Sequence, residues 1–134
     1  MRPRLALSIG AAFNVLAGLP ILLATAQFFS VGGWPTAPDV ALVPARDAGT
    51  LLIVLGIINW LARGAEGAPL RGLLWGNILR PAASIVVNSW EYAAGILPAT
   101  VVGGLVAAFV VDIALIVMFA LALRRTDSST SSIS

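Results

Sequence analysis

The sequence predicts an all-α integral membrane protein, an up-down four-helix bundle with both termini in the cytoplasm. Three observations predict it. Hydrophobic residues make up 59% of the 134 residues and charged residues only 10%, against about a quarter charged in soluble domains. The apolar residues gather into four long segments joined by short polar connections, which favours antiparallel packing of consecutive helices. The arginines fall almost entirely on one side of those segments.

The first span covers residues 5–29, with no charge between Arg4 and Asp39, ample for the ~20 residues a bilayer requires. Its Ala24-Thr25-Ala26 could mark a signal-peptide cleavage site. The apolar run before it exceeds the usual length of a signal h-region, so a membrane span is the preferred reading. The second span covers residues 43–62, of which only Ala48 to Ala62 is uncharged. At 1.5 Å per residue that is about 22 Å, so Arg46 and Asp47 are expected at the interface or folded inward. The third span, residues 70–93, contains Arg80 and Pro81, and the fourth, residues 99–123, contains Asp112. Together they form one domain, residues 1–125, followed by a polar Ser/Thr-rich tail at 126–134 that is expected to be disordered. The loop at 30–46 holds Gly32, Gly33, Trp34, Pro35, Pro38 and Pro44. It cannot be helical throughout, could cap the outer mouth of the bundle, and places Trp34 at headgroup level.

Orientation follows from charge. Arg2 and Arg4 precede span one, Arg63 and Arg71 bracket the connection between spans two and three, and Arg124 and Arg125 follow span four. All lie on one side, which the positive-inside rule makes cytoplasmic. The opposite side has Arg46 with Asp39, Asp47 and Glu91.

Composition also narrows the chemistry. The chain has no Cys, no His and no Lys. Thiol–disulfide exchange, imidazole relays and Schiff-base attachment are excluded, and a zinc or copper site is not expected. No cofactor is called for. The net charge is only +2, and arginines at segment ends are a topology signal rather than a nucleic-acid footprint.

The candidate site is a polar stripe on span three. Asn77, Arg80, Ser84, Asn88 and Glu91 fall within an arc of roughly 80° on one helix face. Arginine and glutamate inside a membrane must be buried against partners. The turn around Gly95–Pro98 places Arg80 and Asp112 equally far from Ile96, hence at one depth. Asp112 continues a small-residue face, Thr100, Gly104 and Ala108, that would let span four approach the stripe closely. Such a pair can be a register device alone or part of a site for a polar group. Glu91 stands between Trp90 and Tyr92, either as an interfacial residue or as a carboxylic acid at a cavity mouth. Arg46 could pair with Glu91 or Asp47. Asn14 in span one and Asn59 in span two are expected to face inward, where polar residues bridge membrane helices.

The arrangement resembles the DoxX-like small bacterial four-span membrane proteins. The resemblance rests on Arg46-Asp47-Ala48-Gly49, on Leu55-Gly56, on Trp60-Leu61-Ala62-Arg63, on Gly76-Asn77 and on Gly95. It implies a bacterial cytoplasmic-membrane protein with an accessory role. This chain lacks the histidine often found in the last span of such relatives, so no histidine-based role carries over.

Three functions compete. In the first, an intramembrane pocket binds a lipophilic molecule (lipid, quinone or isoprenoid-like) through Asn77, Arg80, Ser84, Asn88, Arg46 and Asn14. In the second, Glu91, Asp112 or both are catalytic residues of a cofactor-independent isomerase, epoxide-opening enzyme or terpene-type cyclase. In the third, the chain is a small transporter working as a homo-oligomer, although no inverted repeat is visible.

Overall fold

The structure, a computed structural model, describes residues 1–35, 38 and 42–130, the last four of these as backbone only. The helices are α1 (Pro3–Leu23), α2 (Thr25–Val31), α3 (Val43–Leu61), α4 (Gly67–Ala93) and α5 (Val102–Thr130), with no strand among the described residues. Short 3₁₀ turns at Ala62–Gly64 and Ala99–Val101 precede α4 and α5.

Three helical stretches, Pro3–Leu23, Val43–Gly64 and Ala99–Thr126, are long and apolar enough to cross a membrane. The 27-residue α4 is long enough, but its polar stripe holds it below the apolarity of the other three. Leu16, Leu23, Leu51, Leu61, Val86 and Val110 are all exposed. So much outward apolar surface would be a liability in water and suits a surface facing lipid.

The first span differs from the single helix expected over residues 5–29. It breaks at Ala24, where φ is −134° and ψ is 46°. Pro20 lacks an N–H and weakens the last turn of α1. The Thr25 hydroxyl then donates to the Ile21 carbonyl at 2.6 Å, and α2 begins. At the other terminus α5 runs past Leu123 to Thr130, beyond the expected limit of the span. Asp39 and residues 131–134 of the expected tail lie outside the described residues.

Two close helix pairs dominate the packing, α1 with α3 and α4 with α5. Lipid tails are as apolar as leucine, so close backbone approach and hydrogen bonds, not hydrophobicity, must hold such pairs. Glycine supplies that approach between α1 and α3. A Cβ on Gly18 would stand 2.7 Å from the Gly49 carbonyl oxygen, and one on Gly56 would stand 2.9 Å from that of Ala11. Helices α4 and α5 are joined through Gly95, whose φ of +71° ends α4 in a left-handed cap that side chains disfavour.

The two pairs join where α1 docks on α5. At the end carrying both termini, Ala6 and Leu7 pack with Leu70 and Leu74 of α4 and with Leu115, Phe119 and Ala122 of α5. At the far end, Trp34 packs on Leu97, Val101 and Leu105 and meets the Phe29 ring edge-on at 5.6 Å. Here the expected small-residue face divides. Asp112 does turn toward α4, but a Cβ on Gly104 would lie 2.7 Å from the Gly32 carbonyl oxygen. The upper part of that face serves the chain after α2, not the polar stripe.

The neighbours therefore run α3, α1, α5, α4. The remaining seam, between α3 and α4, hardly closes. Among the described residues those helices meet chiefly through Asn59 and Asn77.

Candidate functional site: the groove at Arg80

The polar stripe on α4 is divided among several partners. Asn77 and Asn59 are buried and exchange two hydrogen bonds. The Asn59 Nδ2 donates to the Asn77 Oδ1 at 2.8 Å, and the Asn77 Nδ2 donates to the Asn59 Oδ1 at 2.9 Å. The same Asn77 nitrogen also donates to the Leu73 carbonyl at 2.8 Å. The Asn77 amide is thus consumed within the fold, and its work is to latch α3 to α4 at the end carrying the termini.

One turn further, Arg80 reaches α5. Its Nη2 lies 3.8 Å from Asp112 Oδ1. That is beyond hydrogen-bond distance, so the contact is electrostatic and is not the bidentate fork that Arg–carboxylate pairs often form. At an effective dielectric near 20 the attraction is about 4 kcal/mol, offset by the cost of desolvating both groups. Ser84 stands beside the same carboxylate. The pair is asymmetric: the Arg80 side chain is 32% exposed and that of Asp112 only 10%. Asp112 lies behind, and the guanidinium keeps N–H donors available on its open side.

The outer part of the stripe turns back on itself. The Asn88 Nδ2 donates to the Ser84 carbonyl at 2.9 Å and to its hydroxyl at 3.2 Å. Glu91 is half-buried and forms no ion pair among the described residues. Arg46 is half-buried in the first turn of α3, where its carbonyl accepts the Thr50 hydroxyl at 3.1 Å. Asn14 is buried on α1. By the glycine register of α1 on α3 it lies at the level of Leu55.

The open side of Arg80 faces a groove of about 280 Å³, lined otherwise by Ala48, Leu51, Leu52 and Leu55 of α3. It occupies the α3–α4 seam beyond the asparagine latch. Its walls are aliphatic and its one ionic group is a donor. It is slightly smaller than the roughly 300–1,000 Å³ of drug-sized ligand sites, so it suits one end of a longer molecule. A second apolar groove of about 230 Å³ lies between α4 and α5, lined by Ser89, Tyr92, Val102, Leu105, Val106 and Phe109. Neither groove is lined by Glu91, Asn88, Asn14 or Arg46.

Of the residues singled out by pattern, the structure brings together Arg80, Asp112 and Ser84. Asn88 joins them only through Ser84, and Asn77, Glu91, Arg46 and Asn14 line neither the ion pair nor its groove. The aliphatic wall of α3 carries no chemical signal in the sequence. Asn59 was visible only as an inward polar residue.

Comparison of the chain with known protein families, with characterised proteins and with solved structures finds no match. The resemblance to DoxX-like proteins therefore rests on the sequence motifs alone.

Proposed function

We propose that the chain is a four-helix up-down bundle of a bacterial cytoplasmic membrane, with both termini cytoplasmic, that binds a lipophilic molecule by its polar end at Arg80. An accessory role in that membrane accords with the DoxX-like resemblance. The orientation is supported by the six arginines at the end of the termini and the positive-inside rule. The spanning of α4 is supported by its length and by the inward placement of Asn77, Arg80 and Ser84.

The observation that carries the binding reading is the groove itself. It is an aliphatic slot, open along a helix seam, ending on a guanidinium with spare donors. The slot faces the hydrocarbon in this orientation, so a molecule can enter sideways from the membrane. Its polar end must accept hydrogen bonds. Asp112 already balances the arginine charge, and an anion would leave the site net negative in a low dielectric. A neutral oxygen acceptor, such as a quinone or ketone carbonyl on an isoprenoid or alkyl chain, fits best. The acid–base reading needs a carboxyl group facing the substrate, whereas Asp112 sits behind Arg80 and Glu91 lines neither groove. Binding is therefore preferred over catalysis.

Native mass spectrometry of the purified chain, equilibrated with decylubiquinone or farnesyl acetone, tests this. Retention should be lost in Leu52→Trp, which fills the slot, and weakened in Arg80→Gln. No retention by folded parent protein, or equal retention by the filled variant, would overturn the reading.

A further inference from the structure

The end that carries both termini holds a surface that the groove does not use. Arg2 and Arg4 are exposed at the first turn of α1, and Arg124 and Arg125 are exposed in α5 directly after Leu123. Packing of Ala6 and Leu7 with Ala122 and Leu123 brings these pairs to one seam. On the same end, the Arg63 guanidinium lies over the Trp60 ring at 3.9 Å, and Trp75 is exposed. Six of the eight arginines belong to this end, against the acids Glu66 and Asp127. Arg71, Arg124 and Arg125 make further contacts of their own within the chain. It is therefore net charge and placement, rather than vacant guanidinium groups, that make this end attractive to anions.

The arginines stand where apolar helices leave the hydrocarbon, at the depth of lipid headgroups. The anion present there is phosphate, which juxtamembrane arginines attract by charge. Trp60 and Trp75 are of the type that settles at the same level. We propose that the seam formed by Arg2, Arg4, Arg124 and Arg125 binds the headgroup of an anionic phospholipid, two arginine pairs matching the two phosphates of a diphosphatidyl lipid. This surface lies at one end of the helices and the Arg80 groove near their middle, so either assignment can fail without the other. A lipid bridging α1 and α5 would also reinforce the docking of the two helix pairs.

The full chain, reconstituted in nanodiscs of phosphatidylcholine with cardiolipin and then stripped in detergent, is read by native mass spectrometry for retained lipid. Cardiolipin should be retained in preference to phosphatidylcholine, and retention should fall as salt rises. A juxtamembrane arginine contributes roughly fivefold, so R124Q/R125Q or R2Q/R4Q should each lose about twenty-five-fold. R124K/R125K keeps the charge and should keep most of the retention, which separates loss of charge from loss of fold. Equal retention of the two lipids by the parent, salt-independent retention, or undiminished retention in both glutamine variants would overturn the proposal. Inorganic pyrophosphate binding the detergent-solubilised chain as tightly as cardiolipin would overturn the lipid as its source.

Discussion

Replacing Asn77 by leucine should weaken the protein more than replacing Asn59 and Asn77 together. The two amides exchange hydrogen bonds of 2.8 and 2.9 Å, and Asn59 is 0% exposed. Interhelical hydrogen bonds in membranes average about 0.6 kcal/mol and reach about 1.7, so the two together are worth about 1–3 kcal/mol. Asn77→Leu also strands the Asn59 amide in apolar surroundings, which costs a further 1–3 kcal/mol or so. The single variant should therefore lose about 2–6 kcal/mol. In Asn59→Leu/Asn77→Leu no polar group is stranded, leucine approximates the branched shape of asparagine, and the loss should stay near 1 kcal/mol. Steric trapping in bicelles gives the unfolding free energies of all four members of the cycle. Independent sites add within about 0.5 kcal/mol. Additive single losses would show that the two amides do not latch α3 to α4.

Gly49→Val should cost about 1–3 kcal/mol by overpacking, because its Cβ would stand 2.8 Å from the Leu22 nitrogen and 3.0 Å from the Gly18 oxygen. Gly76→Ala, where a Cβ meets nothing within 4 Å inside α4, should cost nothing and stabilise by up to about 1 kcal/mol in the same unfolding assay. Arg80→Gln removes one member of an ion pair. Fully buried pairs lose about 3–5 kcal/mol in this way, but a guanidinium 32% exposed at 3.8 Å should lose less, about 1–3 kcal/mol. Arg80→Gln/Asp112→Asn should recover most of that stability without restoring ligand retention, measured by unfolding and native mass spectrometry in parallel. The native chain has no cysteine, so single-cysteine labelling reads topology cleanly. An impermeant maleimide should label Ala94→Cys from outside intact cells and Ala68→Cys only after permeabilisation, and the reverse pattern would invert the orientation.

The helices were largely legible because their signals are strong. Long apolar runs marked α1, α3 and α5. The 3.6-residue period on α4 showed which face turns inward. Equal distance from Ile96 placed Arg80 beside Asp112, because Gly95 makes a compact turn there. The partner of Asn77 was not legible in the same way. The connection from α3 to α4 passes through the 3₁₀ turn at Ala62–Gly64 and the extended Ala65 and Glu66, so residue counting across it does not set the register. The break at Ala24 was also hidden, since Pro20 permits either a kink or a stop. The wall of the groove could not be read at all. Ala48, Leu51, Leu52 and Leu55 differ in nothing from lipid-facing residues until the neighbouring helix is seen to stand away from them.

The central claim is that a lipophilic molecule enters between α3 and α4 and meets Arg80. A photoactivatable azido-quinone, irradiated with the chain in bilayers and mapped by peptide sequencing, tests it most directly. Adducts confined to residues 48–55 and the neighbourhood of Arg80, and lost in Leu52→Trp, are the expected result. Adducts spread evenly over outward residues such as Val86, Val110 and Val117, unchanged by that substitution, would contradict it.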